Sequence, residues 1–191
     1  GPKLRCDAPR MEPGGGGVNV SRAIRILGGE SLVMIVAGGP AGATLEGLLR
    51  AEGIEPLVMP GPGPTRESLA VTDRSTGAQF RFVMPGPDWG AQDTEAVQKT
   101  AARVAQAGDL LVLSGSQPPG VPADFAQALA RRLAASGADL VLDTSGAALR
   151  RIIDRPGDAP IALLRLDEGE AARLAGRMLD RSPDRFRARV V

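Results

Sequence analysis

Hydrophobic and polar positions follow two rhythms along this chain, and the points where they switch divide it into elements. Mainly apolar runs at 32–37, 57–59, 110–114, 140–143 and 161–164 have the length and composition of strands buried on both faces. Between and beside them, apolar residues recur at helical spacing over 18–27, 41–52, 94–107, 124–135, 147–153 and 168–175. Gly28-Gly29 and Gly53 supply the stop signals of the first two helices. Strands alternating with helices predict a parallel sheet covered on both faces, hence an α/β fold. One stretch breaks that rhythm. Residues 68–72 and 79–84 alternate with period two and are joined by the turn-rich Asp73-Arg74-Ser75-Thr76-Gly77, which predicts a β-hairpin set apart from the main body. The opening 3–9 also has period-two character and reads as an edge strand.

Composition narrows the setting. The 191 residues suffice for one domain with a substantial core, or for most of a larger one. Glycine and proline gather in loops rather than spreading as low complexity. A formal net charge of +1 provides no field for nucleic acid or an anionic membrane. The arginines of 181–189 read as a solvated helix face rather than an anion patch. No apolar run approaches the ~20 residues a bilayer requires. The single cysteine, Cys6, allows no internal disulfide and fits a reducing cytoplasm, the expected location. With no histidine, the usual general base and the commonest zinc ligand are absent. Chemistry here must rest on carboxylates, Lys and Arg, backbone amides and a bound metal ion.

Three segments carry candidate chemistry. In Pro13-Gly14-Gly15-Gly16-Gly17-Val18-Asn19-Val20-Ser21, glycines precede a helix directly, so backbone can approach a ligand with free amides at the helix start. A dinucleotide fingerprint fails on spacing, because its third glycine would fall at Asn19, and Met11-Glu12-Pro13 is no buried strand. A P-loop fails because no Gly-Lys-Ser/Thr follows. A tight turn with a helix cap stays open as the structural alternative. Asn19 is a mediocre helix former whose amide can both donate to and accept from sugar hydroxyls. Next, Ser114-Gly115-Ser116-Gln117-Pro118-Pro119-Gly120 lies past the carboxyl end of a parallel strand, where open α/β sheets place ligands. It offers two hydroxyls on a proline-stiffened loop. Last, Asp143-Thr144-Ser145-Gly146 occupies the equivalent place on the next strand, with Asp143 read as a helix N-cap ahead of a holder of a metal–nucleotide or of a neighbouring loop.

In order and spacing, these three segments resemble the PfkB, ribokinase-like carbohydrate kinases. Lys3-Leu4-Arg5-Cys6, Glu12-Pro13 and Phe80-Arg81-Phe82-Val83-Met84-Pro85-Gly86 are similar to the minor bacterial 6-phosphofructokinase branch. The resemblance implies a three-layer α/β/α core over 14–64 and 86–191, with a small β-sheet lid over 1–13 and 65–85. It implies ATP and Mg²⁺ as cofactors, a sugar phosphate as the small-molecule partner, and a homodimer formed through the lid. Gly15, Gly16, Asn19 and Ser116 match sugar-pocket positions. Arg5 and Arg81, assisted by Lys3, match lid positions that hold the substrate's existing phosphate, a task suited to the arginine fork. Fructose 6-phosphate is the expected acceptor. Tagatose 6-phosphate and fructose 1-phosphate kinases are the near alternatives, and a non-catalytic sugar-phosphate binder is the alternative of another class.

The sequence also departs from the family. Relatives carry Lys-Pro-Asn-x-x-Glu where this chain reads Arg165-Leu166-Asp167-Glu168-Gly169-Glu170. Glu170 matches the glutamate that organises magnesium. Arg165 keeps the lysine's charge without its point geometry, and Asp167 places a carboxylate where the nucleotide site would have a neutral amide. The family's first strand, with its sugar-binding Asp, and its Gly-Ala-Gly-Asp motif, with the catalytic Asp, do not occur here. The expectation is a chain incomplete at both ends, with no catalytic base among its residues.

Overall fold

The computed structural model describes residue 3 and residues 5–176. The Arg-rich stretch 181–189 lies outside the described residues. Helix α1 (Gly16–Ile26) leads into strand β1 (Met34–Ala37), helix α2 (Gly39–Ala51) and strand β2 (Leu57–Pro60). The hairpin β3 (Ser68–Thr72) and β4 (Gln79–Val83) follows. The alternation then resumes with α3 (Ala91–Val104), β5 (Leu110–Ser114), α4 (Phe125–Ser136), β6 (Asp139–Asp143), α5 (Gly146–Asp154), β7 (Leu163–Arg165) and α6 (Glu168–Ala175).

Outside the hairpin every ladder is parallel, as the alternation of strands and helices requires. The parallel strands form two ladders, β1–β2 and β5–β6–β7, rather than one sheet hydrogen-bonded throughout the described residues. Each ladder has its own core. Val18, Val33, Ile35, Ala37, Leu49 and Ile54 pack α1 and α2 around β1. Phe125, Leu129, Leu133, Leu140, Leu142 and Ile152 pack α4 and α5 against β6. The two meet through side chains, because Met34 of β1 packs on the second cluster and α1 rests against β5. Arg132 of α4 reaches Glu95 at 2.7 Å and Gln98 at 3.2 Å, tying α4 to α3.

Three expectations change. Among the described residues of 3–9 no strand forms; the segment is exposed and its link to the hairpin is an Arg74–Asp7 ion pair. Period-two polarity there has no ladder to pair with, and a strand needs a partner for its backbone groups. Helix α3 begins three residues earlier than its apolar spacing predicts, because Asp93 accepts the Gly90 N–H at 2.7 Å and starts the helix before Thr94. Asp143 is not a helix cap. Ser145 occupies the N-cap position of α5, and Asp143 is held elsewhere.

Candidate active site

The parallel strands end at one rim. Register places Ser114 opposite Asp143 and Asp143 opposite Arg165, so the last residues of β5, β6 and β7 stand in a row. The Ser114 hydroxyl donates to Asp143 Oδ2 at 2.9 Å, and Arg165 Nη1 donates to Asp143 Oδ1 at 3.2 Å. The Gly115 N–H donates to the Asp143 carbonyl at 2.8 Å, which continues the β5–β6 ladder into the loop. Sequence reasoning named these residues separately and missed the row. Its signal was present, since each is the polar residue that ends an apolar strand run.

The glycine segment is seated against this row. Gly15 N-caps α1 with φ 115°, a conformation that other residues rarely adopt, and its carbonyl accepts the Asn19 N–H at 2.9 Å. A β-carbon on Gly16 would lie 2.3 Å from Ser114 Oγ and 2.6 Å from the Ser114 carbonyl. Gly16 is therefore required by the protein's own strand, before any ligand is considered. Gly14 and Gly17 face open space. From behind, Arg22 fixes the segment. It pairs with Glu52 at 2.6 and 2.8 Å and donates to the Pro13 carbonyl at 3.4 Å. The Glu52 hydrogen bond raises the Arg22 pKa further above its already high value.

Ser116 is exposed two residues beyond Ser114. Its loop is braced by Trp89, whose N–H donates to the Pro119 carbonyl at 2.9 Å. Two buried polar atoms at this rim, Gln117 Nε2 and Thr144 Oγ1, have no hydrogen-bond partner among the described residues.

Past β7, Asp167 and Glu170 form a reciprocal cap on α6. Asp167 Oδ1 accepts the Glu170 N–H at 2.7 Å, and Glu170 Oε2 accepts the Asp167 N–H at 3.0 Å. Asp and Asn cap helices about equally well, so the carboxylate at 167 does here what an amide oxygen would do. Among the described residues no group of three or more metal-ligating side chains converges. Magnesium, the metal expected from the sequence, keeps several of its waters and takes one or two carboxylates. Both Asp143 oxygens are engaged by Ser114 and Arg165, whereas Glu170 commits only Oε2 to the cap.

The hairpin is rooted at the end of β1. Gly38 N–H donates to Thr65 Oγ1 at 3.0 Å, and Thr65 N–H donates to the Gly38 carbonyl at 2.9 Å. Its two faces differ. Leu69 pairs with Phe82 and Val71 with Phe80 on one face, while Ala70 pairs with Arg81 and Thr72 with Gln79 on the other. Arg81 and Arg5 are exposed and make no ion pair among the described residues; Lys3 is exposed as well. The structure thus joins Gly15, Gly16 and Arg165 through Ser114 and Asp143, and leaves Lys3, Arg5 and Arg81 outside that network.

An α/β body with a glycine-seated helix at the strand ends and a separate two-stranded hairpin has the plan of a sugar kinase. The profile described as pfkB family carbohydrate kinase matches residues 1–187, and the chain belongs to that family, with its ribokinase-like fold. Over 186 residues it is 38% identical to the ATP-dependent 6-phosphofructokinase isozyme 2 of Mycobacterium tuberculosis H37Rv, covering 97% of this chain and 53% of that protein. It is 31% identical over 159 residues to the 1-phosphofructokinase of Xanthomonas campestris, covering 83% and 49%. The structure of phosphofructokinase-2 from Escherichia coli in complex with fructose-6-phosphate superposes with a TM-score of 0.85 at 35% identity, over 96% of this chain and 59% of that one. The Escherichia coli protein is also known in a tetrameric inhibited form. The chain thus spans between about half and three-fifths of the length of these relatives.

Proposed function

We propose that the protein carrying this chain transfers a phosphoryl group from ATP to a phosphorylated ketohexose, converting fructose 6-phosphate to fructose 1,6-bisphosphate. The observation that carries the reading is the two-faced hairpin rooted at the carboxyl end of β1, with an unpaired arginine on its polar face. Gly15, Gly16, Asn19 and Ser116 bind the sugar. Arg81, with Arg5 and Lys3, holds the phosphate the sugar already carries. Arg165 and the start of α6 face the donor, and Glu170 would hold magnesium. The nucleotide supplies the phosphoryl group, and its metal neutralises charge as the group passes in line. Residues 1–13 and 65–85 act as the lid on a core of 14–64 and 86–191, and closure excludes water as a competing acceptor. The apolar hairpin face, with Leu69, Phe80 and Phe82 about half exposed, is the surface for a homodimer. The single cysteine fits the cytoplasm. Among the described residues no helix is long and apolar enough to cross a membrane.

The test is a coupled assay of ADP release on the protein expressed from the complete gene, comparing fructose 6-phosphate, tagatose 6-phosphate, fructose 1-phosphate, fructose and ribose. Fructose 6-phosphate should give the highest kcat/KM. A preference for ribose would sink the reading. The 1-phosphofructokinase relative motivates the fructose 1-phosphate arm. Sugar-phosphate binding without turnover would identify a non-catalytic binder instead.

A further inference from the structure

We infer that Asp143 is a positioning residue, which fixes the Arg165 guanidinium for the donor phosphates and ties it to the sugar loop through Ser114. The inference rests on the reading above that Arg165 faces the donor. Its basis is the row of strand-end residues. Asp143 is held on three sides: its carbonyl by the Gly115 N–H, Oδ2 by the Ser114 hydroxyl and Oδ1 by Arg165. Ser114 is in turn the residue against which Gly16 is seated, too closely for any side chain at 16. The chain of contacts therefore runs from Gly16 through Ser114 and Asp143 to Arg165.

Stability does not account for the ion pair. The Arg165 side chain is 60% exposed, and pairs this open contribute little to folding. Geometry accounts for it better. A guanidinium has five N–H donors on a rigid fork. With Nη1 committed to Asp143, Arg165 keeps further donors in a fixed plane for an anion. A lysine ammonium, a point charge on a flexible stem, would have no such plane to present. The Lys-to-Arg departure and the Asp143 contact thus form one device, in which the carboxylate orients the fork.

The experiment uses the enzyme from the complete gene and measures equilibrium binding of a non-hydrolysable ATP analogue alongside steady-state constants. Arg165→Ala should weaken analogue binding about tenfold or more, the order of one charge-assisted hydrogen bond. Asp143→Asn should weaken it about tenfold while the sugar-phosphate KM moves less than about twofold. The double variant should bind no more weakly than Arg165→Ala alone, because Asp143 acts through Arg165. Multiplying effects in the double variant, or an equal rise in sugar KM, would overturn the inference, since Asp143 would then touch the nucleotide or its metal directly. If Asp143→Asn fails to fold by thermal melt, Ser114→Ala takes its place, with a few-fold loss of analogue binding that is again absent in the Arg165→Ala background. Unchanged binding in Ser114→Ala would count against the strut. Turnover of fructose 6-phosphate by the parent enzyme is measured first. Its absence would count against the proposed function, whereas multiplying effects in an active parent would count against Asp143 alone.

Discussion

The β5–β6–β7 ladder and the β3–β4 hairpin are made of similar material, short strands rich in apolar residues, yet they treat it in opposite ways. In the ladder, Leu140 and Leu142 of β6 lie between β5 and β7 under α4, and Leu142 is fully buried. In the hairpin, Leu69, Phe80 and Phe82 stand on one face with Phe82 55% exposed. A buried Phe contributes about 1.5–3 kcal/mol, and the hairpin forgoes much of that. Two strands alone are marginal in water. This pair is held instead by its turn, where Asp73 accepts from the Ser75 N–H and hydroxyl and from the Thr76 hydroxyl, and by its root at Thr65. The ladder uses its apolar surface in folding, whereas the hairpin leaves its own half exposed.

Four measurements would sharpen or break that contrast. Leu133→Ala, which opens a fully buried site in the α4 core, should cost about 2–5 kcal/mol in denaturant unfolding, against less than about 1 kcal/mol for Phe82→Ala in the monomer. Equal costs would erase the distinction. Arg81→Ala should raise the KM for sugar phosphate about ten- to a hundredfold, equivalent to about 1.5–3 kcal/mol, and leave nucleotide affinity nearly unchanged. An unmoved sugar KM would make Arg81 an ordinary solvated strand residue.

The third measurement is on the rigid side of the rim. Asp167→Ala should cost about 1 kcal/mol of stability and Asp167→Asn only a few tenths, as the α6 cap demands. A marked tightening of ATP by Asp167→Asn would instead put that carboxylate against the phosphates. The smallest effect is on pH. Hydrogen bonds from Ser75, and then from Thr76, lower the Asp73 pKa. The folded value lies below the unfolded one, so the turn's contribution is fully present above the ordinary carboxylate range and is lost as pH falls through the depressed folded pKa. Amide protection factors in 68–83, corrected for the intrinsic pH dependence of exchange, should therefore fall at acid pH before those of the core ladder, and Asp73→Asn should flatten that dependence. Simultaneous loosening of hairpin and ladder would show that they open as one unit.

Much of this was legible in the chain. Apolar runs and helical spacing located the six α-helices of the described residues and β1, β2, β5 and β6 to within a few residues, because burial between packed layers imposes those periods, and period-two alternation located β3 and β4. For β7, the run at 161–164 only overlapped the element, which pairs with β6 from Leu163 onward. Four glycines before a helix marked the site, but they could not say what each faces. Gly16 answers to Ser114 and Gly14 to open space, a distinction that depends on a residue about a hundred positions away. Period-two polarity at 3–9 suggested a strand, yet a strand is a relation between two segments and local pattern supplies only one of them. Asp167 read as a misplaced charge until the fold put its oxygen on the Glu170 N–H. The sequence by itself determined the element order, the α/β class and the residues able to carry chemistry, since these follow from local period and side-chain type. Only the tertiary structure decided that Ser114, Asp143 and Arg165 form one row, because register between parallel strands is set by packing across the sheet and not by any residue's neighbours in the chain.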